Sequence, residues 1–392
     1  MKVKRLSLGG GASLFMKRWE EIKMPKRAVW AEVDLKALEN NIKNIKSCIK
    51  NNAKWCAVVK ADAYGHGAVA VARKAVEQGA DYLAVAVLSE AIALREAGFT
   101  TPILILGATP AEASADLVDY DITQVVFTEE QVKCLSAEAV RQGKRAKVHL
   151  KIDTGMSRIG IRPEKAGEFA KAITGMPGIE LEGMFSHFAL ADAEDKTFAH
   201  RQLDRFRQAI RCVEAAGINI PIKHLANSAA ILEMPEAHFD MVRAGIILYG
   251  LWPSAEVKHV IDLQPIMELK AKMIYVKTLQ PGETISYGCT FKAARESRIA
   301  TLPLGYADGY TRLFSGKAQV EFRGRRAPVA GRICMDQCMV DITDLLEAEQ
   351  GDIVTIYGSR GLSMDEAAGW LGTINYELPC MLSARVPRVY KD

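Results

Sequence analysis

The chain has 392 residues, 49% of them hydrophobic and 25% charged, with a net charge of +4. This is an ordinary globular composition, long enough for two domains or for one large barrel with an addition. So small a charge, with no long basic run, argues against nucleic acid, and no apolar stretch reaches the ~18 residues that a membrane helix needs.

Residues 1–26 read as an N-terminal extension. Lys2, Lys4 and Arg5 precede Leu6-Ser7-Leu8 in the manner of a signal peptide. Gly9 to Gly11 then break the apolar region and no small-residue cleavage site follows, so Met16 and Met24 are alternative starts. Ala28–Val33 reads as a strand. From about residue 30 to 250, short apolar runs alternate with amphipathic stretches. The predicted strands are Cys56–Lys60, Tyr82–Val87, Ile103–Leu106, Gln124–Phe127, Lys147–Ile152, Leu181–Phe185, Ile222–Leu225 and Asp240–Arg243. Predicted helices between them include Gly67–Glu77, Leu88–Ala97, Glu129–Gln142, Pro163–Thr174 and Lys196–Ala216.

Eight strands with intervening helices match a parallel (β/α)8 TIM-type barrel over residues 27–262. A doubly wound open sheet is the alternative, but no G-x-G-x-x-G follows the first strand. Beyond that point the pattern changes to short strand-like runs: Leu269–Lys277, Gly282–Ser286, Arg298–Pro303, Gln319–Phe322, Ala327–Val329, Met339–Ile342 and Asp352–Ile356. Residues 263–392 therefore read as a mainly β C-terminal domain, with which Ala28–Val33 could pair. The eight cysteines are spread along the chain, and Cys334 and Cys338 lack the second pair that zinc requires, so reduced cytoplasmic thiols and no metal are expected.

The chemistry collects at the C-terminal ends of the barrel strands, where barrel active sites lie. Lys60 closes a buried apolar strand, and burial there lowers an amine's pKa from ~10.4 and makes it a nucleophile towards carbonyls such as the aldehyde of pyridoxal phosphate. The fifth strand, His149-Leu150-Lys151-Ile152-Asp153, runs into Thr154-Gly155-Met156-Ser157-Arg158. The sixth ends at Ser186-His187, the seventh at Ala226-Asn227-Ser228, and the eighth holds Arg243-Ala244-Gly245-Ile246. Each has a plain structural reading: Lys151 with Asp153 as an internal salt bridge, His187 as a core histidine, Arg158 as a solvated turn residue, Asn227 and Ser228 as a helix cap. Their convergence on one face is better explained by a site. Loops after the seventh and eighth strands often bind phosphate, and here they supply a hydroxyl and a glycine.

Nine segments in order carry a resemblance: AVVKADAYGHGA, KIDTGMSRIGI, SHFA, HLANSAA, MVRAGIILYGL, SYGCTF, LPLGYADGY, GRICMDQCMVDIT and INYELPC. Over residues 27–390 the chain resembles the alanine racemases. The resemblance implies a pyridoxal 5'-phosphate enzyme that interconverts L- and D-alanine by a two-base mechanism, supplies D-alanine for peptidoglycan, and works as a homodimer with shared sites. Lys60 would carry the cofactor and, once freed by substrate, serve the D-face of the substrate carbon. Tyr287, from the partner subunit, would serve the L-face. Arg243 would face the pyridine nitrogen, with His187 and His224 orienting it and tuning Tyr287.

By the same resemblance Tyr64, Ser228, Gly245, Ile246 and Tyr376 would hold the phosphate, with Asn227 behind them. Arg158 would bond the cofactor's phenolic oxygen or the substrate carboxylate. Met335, with Asp336 beside it, would reach the carboxylate from the partner, and Tyr306 with Tyr376 would narrow the entrance. Lys151 occupies the place of a lysine that is carbamylated in some members and supports Arg158. Two local choices differ from the common pattern: Ser157, where glycine is frequent, and Cys289, whose thiol would make activity sensitive to thiol reagents. A broad-specificity or serine racemase of the same fold is the alternative. A basic amino acid decarboxylase would place an acid, not Arg243, at the pyridine nitrogen, and a non-catalytic pyridoxal-phosphate carrier would lack the β domain.

Overall fold

A computed structural model describes residues 26–358 and 361–392. The expected extension at 1–26, with Met16 and Met24, lies outside the described residues except for its last position. The first strand, β1 (Val29–Asp34), leads into helix Leu35–Cys48, whose N-terminus is capped by the Asp34 carboxylate accepting from the Ala37 N–H at 2.7 Å.

Eight parallel strands then close a barrel: β2 (Lys54–Val58), β3 (Tyr82–Val85), β4 (Ile103–Ile105), β5 (Thr123–Val126), β6 (Ala146–Lys151), β7 (Ile179–Phe185), β8 (Ile222–His224) and β9 (Met241–Ala244). β9 pairs back onto β2, with Cys56 opposite Arg243. Strands such as β3 and β4 are buried on both faces, so they read as continuous apolar runs, not as alternating ones. The helices follow the predicted stretches: Glu129–Gln142 is capped by Thr128 and stopped by Gly143 at φ +63°, while Pro163–Thr174 divides into a short 3-10 turn and a helix from Ala166.

The rest of the chain is mainly β. A nine-stranded sheet contains β1, which pairs antiparallel with Met267–Lys272 and parallel with Arg388–Lys391. The early strand thus joins the C-terminal sheet. The run read as one strand, Leu269–Lys277, is two: Met267–Lys272 pairs with β1 and Ile353–Tyr357, whereas Tyr275–Leu279 pairs with Ser297–Leu302. The chain changes partners between them, which the local alternation does not encode. One hydrophobic cluster runs from the barrel wall into this sheet, so the two parts share a core. Among the described residues no helix is long and apolar enough to cross a membrane.

Candidate active site

The chain leaves β2 through an unusual turn. Ala61, Asp62, Ala63 and Tyr64 all have φ between +51° and +54°, so Lys60 opens one turn of left-handed helix, ended by Gly65 at φ +79°. The sequence suggests only a glycine-rich loop here. A left-handed conformation costs roughly 1–2 kcal/mol for each L-residue, so its surroundings must compensate. The Glu90 carboxylate accepts from the Ala61 N–H at 2.6 Å and from the Ala86 N–H at 2.8 Å. Asp62 accepts from the Ala68 N–H at 2.7 Å, and the Arg388 guanidinium donates to the Gly65 carbonyl at 2.9 Å. The turn drops Tyr64 into the barrel mouth against Tyr249, whose hydroxyl donates to the Val58 carbonyl at 2.8 Å.

Lys60 lines a cavity of about 290 Å³ at the C-terminal ends of the strands. Tyr64, His187, Asn227, Ser228, Arg243, Gly245, Ile246 and Tyr376 line it too. The Lys60 amine lies 5.9 Å from the centre of the Tyr64 ring. Burial, and then the Arg158 cation, hold it below the ordinary lysine pKa. Gly245 donates its N–H to Ser228 Oγ at 3.0 Å. A Cβ on Gly245 would stand 3.1 Å from Tyr64 Oη and 3.4 Å from Ser228 Oγ, so the missing side chain leaves a cradle edged by two hydroxyls. Asn227 does cap the next helix, accepting from the Ala230 N–H at 3.1 Å, and it also faces the cavity.

Arg243 is buried and forms part of the cavity floor. Its guanidinium reaches His224 Nδ1 at 2.8 Å, His187 Nδ1 at 3.2 Å, and the carbonyls of Ser186 and Leu225 at 2.9 and 3.1 Å. Among the described residues no carboxylate pairs with it. Burial pulls its pKa down to about 10, which leaves it cationic near neutrality. Burial and this cation press both His187 and His224 well below the ordinary histidine value, so both rings are neutral acceptors. Lys151 shares the neighbourhood: its amine lies 4.7 Å from the Phe185 ring centre, and burial, with Arg243 and Arg158, lowers its pKa to about 7. Asp153 is no ion-pair partner for it; that carboxylate accepts from the N–H groups of Gly155 and Ser157 and shapes the following turn.

A desolvated lysine, a hydroxyl cradle and a buried arginine without an acid make an uncommon set. The model of the family "Alanine racemase, N-terminal domain" matches residues 33–253, and that of "Alanine racemase, C-terminal domain" matches residues 266–390. The chain belongs to the alanine racemase family. It is 55% identical to the alanine racemase of Desulfovibrio desulfuricans, covering 93% of this chain and 99% of that one. Its structure superposes on alanine racemase from Clostridium difficile 630 with a TM-score of 0.91 at 43% identity, covering 94% and 97% of the two chains. The Bacillus anthracis alanine racemase with bound L-Ala-P gives 0.89 at 39% identity, covering 94% and 96%. The chain is thus an isomerase of this family, interconverting the enantiomers of alanine.

Not every predicted site residue meets in the cavity. Arg158 is exposed at its rim, in a turn where Ser157 takes φ +56°, the left-handed region that glycine occupies most easily. Tyr287 is 68% exposed, on a turn of the β domain in which Ser286, Gly288 and Cys289 also have positive φ. Met335 and Tyr306 are exposed as well, on neighbouring segments: Ser286 Oγ lies 3.4 Å from Cys334 Sγ, and Tyr306 donates its N–H to the Cys334 carbonyl at 3.1 Å. Asp336 is engaged by Arg385 at 2.6 Å. None of these five, Arg158 included, lines the cavity of its own chain. The sequence alone does not single out Glu90, Glu182 or His149. For His149 a signal exists, since it shares the inward face of its strand with Lys151, two residues on.

Proposed function

We propose that this chain racemises alanine with pyridoxal phosphate as cofactor, and that two copies complete each site. The observation that carries this reading is that Lys60, the Tyr64–Ser228–Gly245 cradle and Arg243 line one cavity. They fit the three ends of that molecule. Lys60 offers an amine to the aldehyde carbon. Tyr64, Ser228 and the backbone at Gly245 and Ile246 surround space suited to a phosphate, with Asn227 and Tyr376 alongside. Arg243, held by His224 and His187, offers a cation to the pyridine nitrogen.

When bound, the cofactor acidifies the substrate's α-hydrogen by drawing its electron pair into the ring. Arg243 limits that draw, because a cation beside the pyridine nitrogen disfavours protonation there. A weaker draw keeps the proton's return to the α-carbon ahead of side reactions. Inversion needs one base to take the proton and an acid on the opposite face to give one back. Lys60 serves the D-face, and burial, by lowering its pKa, favours the neutral amine that can take a proton. The partner subunit's Tyr287 serves the L-face. Exposure of Tyr287, Met335 and Tyr306 on adjoining segments supports their projection into a second copy. Arg158 and the partner's Met335 hold the carboxylate, Asp336 supports Met335, and Tyr306 with Tyr376 excludes large side chains.

Lys151 stands near two cations, and its pKa of about 7 leaves a substantial share of its amine neutral near pH 7. Addition of that amine to carbon dioxide, with loss of one proton, gives a carbamate whose negative charge offsets Arg158 and Arg243. The cytoplasm suits eight cysteines that are all free, and the D-alanine made there would feed peptidoglycan synthesis. The division near residue 262 into barrel and β domain is supported by the gap between the two family matches. Incubation of the pure protein with L-alanine in heavy water tests the reading: D-alanine carrying deuterium at Cα is expected, and no exchange with any small amino acid overturns it.

A further inference from the structure

The Arg243 network does not stop at His224. His224 Nε2 lies 2.8 Å from His149 Nδ1, and His149 Nε2 lies 3.1 Å from a Glu182 carboxylate oxygen. The Tyr82 hydroxyl lies beside the same carboxylate. A single chain of side chains thus descends from the cavity floor into the barrel, across β9, β8, β6 and β7.

We infer that Glu182 and His149 are positioning residues: the half-buried Glu182 carboxylate on β7 anchors a one-way hydrogen-bond chain that holds Arg243 in place. This deepens the reading above, since it rests on Arg243 facing the cofactor's ring nitrogen. Direction follows from what each end can do. Arginine has donors only, so His224 Nδ1 accepts and, with the ring neutral, its proton sits on Nε2. That N–H donates to His149 Nδ1, which leaves the His149 proton on Nε2. An ionised glutamate only accepts, so Glu182 receives it. Burial works against charge on Glu182, but the contact with His149 and the neighbouring Tyr82 hydroxyl outweigh it and keep the carboxyl below its ordinary pKa. Every donor has an acceptor, and each bond polarises the next towards Arg243.

The barrel wall is shaped around this chain. Opposite His149 stands Gly183, where a Cβ would fall 2.5 Å from the imidazole, so only glycine admits the ring. The β6–β7 register shifts between Val148 and His149, at the point where the ring enters. Phe185 stacks on His224 at a 4.7 Å centroid distance and 7° tilt, which fixes that ring's plane.

The test uses holoenzyme carrying heavy-nitrogen-labelled histidine, with ring protonation read by two-bond nitrogen–proton correlation, beside kcat and KM. In the wild type both His149 and His224 are expected to be protonated at Nε2 alone. Glu182→Met keeps the length and removes the acceptor. It should give His149 a mixed ring pattern and lower kcat by about tenfold, the scale of one charge-assisted hydrogen bond, with KM within about twofold. Glu182→Gln keeps a carbonyl acceptor and should recover both the wild-type ring pattern and most of kcat. A proton on Nδ1 of either wild-type ring overturns the inference, as do Met and Gln variants that match each other in rings and rates. If the Met variant does not fold, the wild-type and Gln spectra still decide. Failure of the cofactor reading would show separately, as a yellow chromophore that persists in Lys60→Ala.

Discussion

A Cβ on Gly65 would lie 1.9 Å from the carbonyl oxygen of Pro379, so the end of the left-handed turn after Lys60 presses directly on the C-terminal segment. Gly65 also has φ +79°. Gly65→Ala meets two costs, a strained backbone and an overlap with main chain that no rotamer relieves. Together they should lower the unfolding free energy by about 3 kcal/mol, measured by urea titration. The same variant should lose activity, since the turn sets the direction of Lys60.

The cradle makes a milder variant informative. Gly245→Ala puts a methyl between Tyr64 Oη and Ser228 Oγ, in space assigned to the phosphate. Cofactor affinity should fall by about tenfold or more, corresponding to about 1.4 kcal/mol or more. Titration of the cofactor-free protein with pyridoxal phosphate, followed by absorbance, checks this. Unchanged affinity would remove the cradle from the phosphate site.

Tyr287 is exposed in its own chain, so Tyr287→Phe should leave stability within about 0.5 kcal/mol. Racemisation should nevertheless fall by about 10²–10⁴-fold, the range for loss of a positioned acid or base. Mixing this variant with Lys60→Ala should restore activity, because half of the hybrid's sites pair an intact lysine with an intact tyrosine. A mixture that stays inactive while subunits demonstrably exchange would count against sites shared between chains.

Lys151 gives stability a pH dependence of definite sign. Its pKa is about 7 in the fold against an ordinary 10.5. Between those values the unfolded chain holds one more proton than the folded one, so stability rises with pH through the window and is lost as pH falls towards 7. The slope from this one group is about 1.4 kcal/mol per unit at most. Lys151→Met should flatten the curve of unfolding free energy between pH 7 and 10 in buffers free of carbon dioxide. With carbon dioxide present, a carbamate should appear as a new carbonyl signal from heavy-carbon bicarbonate in the wild type and not in the variant.

Much of this protein is legible along the chain. Strands such as Tyr82–Val85 and Ile103–Ile105 announce themselves because a strand buried on both faces is apolar along its length. Lys60, Ser228, Arg243 and Gly245 are readable because barrel strands end at one rim, so polar residues at those ends must meet. What stays hidden depends on contacts between distant segments. Ala61-Asp62-Ala63-Tyr64 has no composition that calls for a left-handed turn; Glu90 and Arg388 impose it from elsewhere. The direction of Tyr287, away from its own cavity, is set by how the β domain docks on the barrel. The chain from Arg243 to Glu182 exists only because closure brings together residues 19, 75 and 33 positions apart, step by step, in one register. Local periodicity determined which residues are strand, helix and rim. Barrel closure and long-range hydrogen bonding decided which of them touch, and so how the lysine and arginine are held.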